Sequence, residues 1–166
     1  WGIYTSKTKD AMLWPDMTWM FILAYDVWNF QYTYLNLPTH SWYCGVALLL
    51  APTFAAAFWN KGGWIQNRAN TLALWCMFAQ VFPLFQDQGK FAVIPRLYAD
   101  GFMDAATHPT AVDPTAQGVI SVLSIVVNVV VFAAIIKRSM KLKKNPYKDE
   151  IWKGTKDYEE AMSRAE

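Results

Sequence analysis

Residues 118–136 read GVISVLSIVVNVVVFAAII and carry no charged side chain. An α-helix needs about 20 mostly apolar residues to cross the hydrocarbon core of a bilayer. This stretch lies inside a helix that we predict at 115–136. Its length and composition are typical of a membrane-spanning segment. We therefore interpret the rest of the chain as part of a membrane protein.

Three earlier stretches have a similar apolar character and predict helices at about 17–37, 41–60 and 66–85. Pro52 predicts a kink in the second of them, because proline removes a backbone hydrogen bond inside a helix. The sequence therefore predicts an all-α fold, a transmembrane helical bundle with four membrane-spanning helices. Because the chain begins at Trp1 rather than at a methionine, we expect it to be the C-terminal part of a larger bundle.

The charges divide the chain into two parts. Residues 137–166 hold nine of the 15 Lys and Arg and six of the 13 Asp and Glu. We therefore predict a transmembrane domain at 1–138 and a charged cytoplasmic tail at 139–166, which reads as a solvated helix or a partly ordered extension. Between the third and fourth helices, the proline-containing and acidic stretch 86–114 predicts an external loop.

Basic residues set the expected orientation, because cytoplasmic loops of membrane proteins are enriched in Lys and Arg. Lys7 and Lys9 precede the first predicted helix, and Lys61 lies in the loop between the second and the third. Further basic residues follow the fourth helix. We expect a cell-membrane protein in which the N-terminal and C-terminal ends of this sequence are both cytoplasmic. The basic run after the fourth helix predicts contact with anionic lipid headgroups through Lys137, Arg138, Lys141, Lys143 and Lys144.

Asp26 is the most informative candidate for function. A carboxylate in the middle of a membrane-spanning helix is costly and is usually turned towards a protein interior or a watery cavity. Asn29 and Thr33 follow it at helical spacing and share its face. We predict an ion- or ligand-binding site formed by Asp26, Asn29 and Thr33, with Gln80 and Asn128 contributing from facing helices.

A purely structural interpretation remains open for the same residues. Polar side chains in membrane helices often serve as hydrogen-bonding contacts between helices. This interpretation applies most directly to the polar stripe of the fourth helix, which contains Gln117, Ser121, Ser124 and Asn128.

Several functional classes find little support. The sequence has no HExxH motif, no Ser/His/Asp arrangement and no glycine-rich phosphate loop. The basic run is short, so we expect no nucleic-acid partner. We expect neither a cofactor nor a metal site, and an enzyme is the least favoured class.

Three stretches carry a resemblance to a known family: WPDM at 14–17, AYDVWNF at 24–30 and RANTLALW at 68–75. They resemble an uncharacterised family of bacterial multi-pass integral membrane proteins, a domain of unknown function. The resemblance implies further helices before Trp1, and it supplies no activity, substrate or cofactor.

The leading functional hypothesis is a transporter- or permease-like protein for an ion or small solute, with a polar site around Asp26. The alternative is a non-catalytic membrane scaffold or sensor, in which the polar stripes are packing contacts and the charged tail binds a partner. The sequence leaves substrate and oligomeric state open.

Overall fold

The computed structural model describes residues 2–8, 12–35, 42–82 and 114–166. Two short strands, β1 (Tyr4–Thr5) and β2 (Met12–Leu13), pair antiparallel near the N-terminus, with Tyr4 opposite Leu13. Four longer α-helices, one π-helical segment and one short α-helix follow: α1 (Trp19–Asn29), the π-helical segment (Phe30–Leu35), α2 (Trp42–Phe58), α3 (Trp64–Val81), α4 (Pro114–Leu142) and α5 (Lys156–Met162). The described chain is therefore mostly helical.

The helix α1 runs directly into the π-helical segment. At the junction, the backbone N–H of Phe30 donates to the carbonyl oxygens of both Asp26 and Val27. The ring of Tyr34 then packs against α2 at Gly45, where a Cβ atom would overlap the ring. Wide helical turns of this kind are frequent near functional sites in proteins, and this one begins one turn after Asp26.

The helices α2 and α3 form a hairpin, and α1 packs against both α4 and α2. The hairpin turn is held by two amide hydrogen bonds between Asn60 and Asn67, of 2.8 and 2.7 Å. Beside the turn, Met17, Ala56 and Trp64 form a buried apolar cluster. Ala56 places this cluster near the end of α2, and Ile22 and Tyr25 of α1 pack against it.

The prediction of four membrane-spanning helices is wrong. Within the described ranges, one helix is long and apolar enough to cross a membrane, at Gln117–Leu142. The α-helical part of α1 has 11 residues, and α2 has 17, which at 1.5 Å per residue spans about 25 Å against about 30 Å of hydrocarbon. The first two turns of α3 contain Gln66, Asn67 and Arg68 and are polar. A transmembrane bundle is therefore not supported.

The charged tail is folded back onto the protein. The backbone of residues 163–166 bonds to the N-terminal segment, with Lys7 N–H donating to the Arg164 carbonyl at 2.9 Å and Glu166 N–H to the Thr5 carbonyl at 3.0 Å. Tyr158 and Ala161 of α5 are almost fully buried. We call residues 2–8, 12–14 and 145–166 together the terminal cap. The tail was predicted to be a solvated helix or a partly ordered extension; it contains the helix α5, and one face of that helix is buried.

The terminal cap also contacts the turn between α2 and α3. The Trp14 backbone N–H donates to the Gly62 carbonyl at 2.8 Å, and Arg164 donates to the Lys61 carbonyl at 3.0 Å. The N-terminal segment, this turn and the tail thus lie at one end of the helices. The predicted loop 86–114 lies outside the described residues except for Pro114, which begins α4, and so do residues 36–37 at the end of the first predicted helix.

Candidate functional site

Asp26 lies on α1 and lines a cavity of about 480 Å³ between α1, α2 and α4, which we call the Asp26 cavity. Its volume is within the range of small-molecule sites. The walls are mostly aliphatic or aromatic side chains, among them Ile22, Leu23, Val27, Phe30, Val46, Leu49, Leu50, Ile120 and Leu123. An acidic side chain is thus set against an apolar wall.

A short chain of hydrogen bonds fixes the Asp26 carboxyl group. The indole Nε1–H of Trp64 donates to Thr53 Oγ1 at 3.0 Å, and the Thr53 hydroxyl donates to Asp26 Oδ2 at 2.7 Å. Because Thr53 accepts from Trp64, its own proton is directed to the carboxylate. Pro52 precedes Thr53 inside α2. The network therefore joins three helices at a point where the backbone bonding of α2 is interrupted.

The second oxygen of the carboxyl group, Oδ1, is buried and has no hydrogen-bond partner in the described structure. A buried polar atom without a partner costs free energy, and more so when the group is ionised. Burial raises the pKa of Asp26 from 3.8 to about 6, although the Thr53 hydrogen bond and the charge of Arg68 act in the opposite direction. Asp26 is therefore mostly ionised at neutral pH and exchanges protons within the physiological range.

Arg68 on α3 is a positive charge that lowers the pKa of Asp26 without forming an ion pair with it in the described structure. Its Nη2 donates to Asn29 Oδ1 at 3.4 Å, while its Nε and Nη1 are buried without partners in the described structure. No salt bridge within 4.0 Å joins Arg68 to Asp26 in that structure. The guanidinium group thus affects Asp26 through its electric field and leaves the carboxylate without a direct counter-ion.

The structure places the five predicted site residues in different surroundings. Asp26 lines the cavity and Asn29, on the same helix, binds Arg68. Thr33 lies in the π-helical segment and is half-buried. Gln80 is exposed near the end of α3, about 18 Å along the helix from Arg68. Asn128 is exposed on α4 and donates to the Ser124 carbonyl of its own helix at 2.9 Å.

Sequence reasoning missed Thr53, Trp64 and Arg68. Thr53 is a single hydroxyl in an apolar helix, and its position next to Pro52 was the available signal. For Arg68, the available signal was a cation inside a helix that the sequence predicts to lie in a membrane.

The polar stripe of α4 makes contacts between helices. Gln31 in the π-helical segment donates from Nε2 to Ser121 Oγ at 3.2 Å, and Ser124 is buried. These contacts fix α4 against the helix that carries Asp26.

One end of the cavity is lined by the turn between α2 and α3 and by α5. Lys61 and Asp157 both line it and form an ion pair of 3.6 Å. Gly62 has a positive φ of 82°, and a Cβ there would lie 2.7 Å from the Ala161 Cβ. The terminal cap therefore contributes directly to the shape of the cavity.

The basic run after α4 divides into two kinds of residue. The Arg138 guanidinium lies 4.9 Å from the ring centre of Trp152, and its Nε donates to the Ile151 carbonyl. The side chains of Lys137, Lys141, Lys143 and Lys144 are exposed. Arg138 thus holds the tail against α4, whereas the four lysines are available to anions.

The described residues contain no group of three or more His, Cys, Asp or Glu side chains arranged to hold a metal ion. A carboxylate that lines a cavity, as Asp26 does, can bind a positive charge or exchange a proton.

Comparison with known proteins gives a family without an assigned activity. No curated protein and no solved structure shows significant similarity to the chain. The model of DUF5692, a family of unknown function, matches residues 1–164, and the chain therefore belongs to that family.

Proposed function

We propose that this protein binds a small cation or cationic solute at Asp26, as the binding step of a transporter- or permease-like function at the cell membrane. The observation that carries the proposal is a carboxylate that lines an apolar cavity and has no direct counter-ion in the described structure. Buried charges in proteins are normally paired, and strongly perturbed carboxyl groups in cavities are typical of functional sites.

Attachment to the membrane through α4 is part of the proposal. Only 11% of the most apolar stretch of α4 is buried in the structure, whereas the central helix of a water-soluble protein would be mostly buried. Its exposed side chains include Val119, Val122, Ile125, Val126, Val129 and Phe132. Lipid is the environment in which such a surface is stable.

The orientation follows from the position of the lysines. Lys137, Lys141, Lys143 and Lys144 would lie in the headgroup layer at the end of α4, where anionic lipids attract them. The terminal cap lies at the same end and would face the cytoplasm of a bacterial cell.

The test uses the full chain in nanodiscs of zwitterionic lipid at pH 6, in weak buffer, with sodium chloride, methylammonium chloride and hexylammonium chloride as probes. Since the pKa of Asp26 is about 6, a cation that binds there displaces up to about half a proton per chain. We expect saturable proton release from the native chain and from the control Glu160→Gln, and none from Asp26→Asn. Equal release from all three, or from none of them with any cation, would contradict the proposal.

The scaffold alternative is favoured by a separate observation, the Gln31–Ser121 hydrogen bond between the π-helical segment and α4. If the polar residues serve packing alone, Ser121→Ala lowers the thermal unfolding temperature, and no proton is released when cations are added. Thermal unfolding of Ser121→Ala, measured beside the titrations, separates the two functions.

A further inference from the structure

The side chains that line the Asp26 cavity indicate which class of ligand fits it. The polar side chains that line it on the helices are Asp26, Thr53 and Thr18, and at one end lie Lys61 and Asp157, which pair with each other. The remaining lining is almost entirely apolar. A ligand that fills this space meets one unpaired negative charge and a long apolar surface.

A bare metal ion matches that surface poorly. Calcium takes six to eight oxygen ligands, and magnesium prefers six in an octahedral arrangement. Around the carboxylate, the described lining offers the oxygens of Asp26 and the hydroxyl of Thr53, and the latter already donates to Asp26. An ammonium group, in contrast, is satisfied by one carboxylate together with a few hydrogen bonds.

The cavity is also open beside apolar residues. Trp19, Leu23 and Leu50 line it and are each more than 40% exposed. A ligand that enters between α1 and α2 therefore passes apolar side chains before it reaches Asp26. This path favours a molecule with an apolar body over a fully hydrated ion.

The length of the cavity sets the size of that body. Its lining runs along α1 from Trp19 past Asp26 to Val27, and the part between Trp19 and Asp26 is about 10 Å long at 1.5 Å per residue. Beyond Thr18, the ion pair of Lys61 and Asp157 provides a polar end.

We propose that the ligand is an organic ammonium ion with an apolar body, whose charged group binds the Asp26 carboxylate while its hydrocarbon part lies against Ile22, Leu49 and Leu123. This inference rests on the proposed function, because it names the class of solute for the same site. The apolar walls contribute affinity in proportion to the hydrocarbon buried, and the carboxylate selects for positive charge.

The experiment is isothermal titration calorimetry at pH 7.5 with the full chain in zwitterionic nanodiscs, with empty nanodiscs subtracted. Four probes separate charge from hydrocarbon: hexylammonium, methylammonium, hexanol and hexanoate. Each buried methylene strengthens binding by about fourfold. Hexylammonium, with five more methylenes than methylammonium, is therefore expected to bind at least about a hundredfold more tightly, while hexanol and hexanoate bind far more weakly.

Two variants and a control connect this binding to the cavity. Asp26→Asn is expected to abolish the preference for hexylammonium over hexanol, and Glu160→Gln, an exposed carboxylate, to leave it unchanged. Val46→Phe fills the apolar wall without touching the charge. It is expected to weaken the binding of hexylammonium at least tenfold and the binding of methylammonium less than twofold. If Asp26→Asn does not fold, this variant still tests the inference.

The outcomes distinguish this inference from the proposed function. If methylammonium or sodium binds as tightly as hexylammonium and depends on Asp26, the inference is overturned and the proposed function stands. If hexanol or hexanoate binds as tightly as hexylammonium, or if none of the probes binds, both are overturned.

Discussion

Carboxylates in the terminal cap have charged or hydrogen-bonding partners, whereas the Asp26 carboxylate in the cavity is only partly satisfied. In the cap, Asp157 is half-exposed and pairs with Lys61 at 3.6 Å, and Asp149 accepts a backbone hydrogen bond from Asn145 at 2.8 Å. In the cavity, Asp26 has one oxygen bonded to Thr53 and the other buried without a partner in the described structure. The contrast separates carboxylates whose charge is paired or hydrogen-bonded from a carboxylate that is partly buried and has one oxygen without a partner in the described structure.

The largest expected effect lies where the cap meets the cavity. Gly62→Ala introduces a Cβ at a residue of positive φ, only 2.7 Å from the Ala161 Cβ, so both backbone strain and overlap oppose folding. We expect a loss of about 2–4 kcal/mol in the free energy of unfolding, measured by chemical denaturation in detergent.

Gly118→Ala is the matched control. A Cβ there meets no atom within 4 Å, and alanine has the higher helix propensity. We expect it to be neutral or stabilising by up to about 1 kcal/mol. Equal destabilisation by both substitutions would show that the contact between Gly62 and Ala161 is unimportant.

Thr53→Val tests the hydrogen bonds in the cavity. The substitution preserves shape but leaves Trp64 Nε1 without an acceptor and Asp26 Oδ2 without a donor. We expect destabilisation of about 2 kcal/mol at pH 7.5. Since the Thr53 hydrogen bond lowers the pKa of Asp26, its loss should also raise that pKa, which a carboxyl-detected NMR titration measures. An unchanged pKa would argue against the bond.

Asp26→Asn tests the cost of the buried charge. The pKa of Asp26 is raised in the folded state to about 6, above that of the unfolded chain, so the folded protein binds the proton more tightly. Protonation of Asp26 therefore contributes to the stability of the fold. That contribution is complete below about pH 4 and is lost as the pH rises through 6.

The variant is therefore expected to unfold at the same denaturant concentration as the native chain at pH 4. At pH 7.5 we expect it to be more stable by about 1 kcal/mol, a figure reduced because Asp26 is partly exposed. A variant that is less stable at pH 7.5 would mean that the carboxylate holds the fold together.

The smallest effect is expected in the cap. Lys61→Met removes an ion pair whose side chains are 28% and 38% exposed, and such pairs contribute about 0.5 kcal/mol. The difference from the native chain should vanish in 1 M salt. A larger loss, insensitive to salt, would place this pair among the contacts that determine the fold.

The sequence predicted the helices better than it predicted their environment. The apolar run of 118–136 lies within α4, and the second predicted helix, 41–60, corresponds to α2 at Trp42–Phe58. Apolar content alone does not establish a membrane span, because length and a continuous apolar surface are needed as well. The π-helical segment that follows α1 packs Tyr34 against Gly45 of α2, and a contact between two helices is not visible in the local sequence pattern.

The candidate site was predictable only in part. Asp26 stands out because a carboxylate in an apolar helix is costly. Thr53 lies 27 residues away in the chain, and Arg68 lies 39 residues from Asn29. Helical spacing relates residues of one helix and carries no information about which side chains on other helices will face them.

The most direct test of the account is the pKa of the Asp26 carboxyl group, measured by carbon-detected NMR with and without saturating hexylammonium. We predict a pKa of about 6 in the free protein and a lower one in the presence of the cation, because a positive charge bound at the carboxylate favours its ionised form. A pKa near 3.8 that does not respond to the cation would contradict the account.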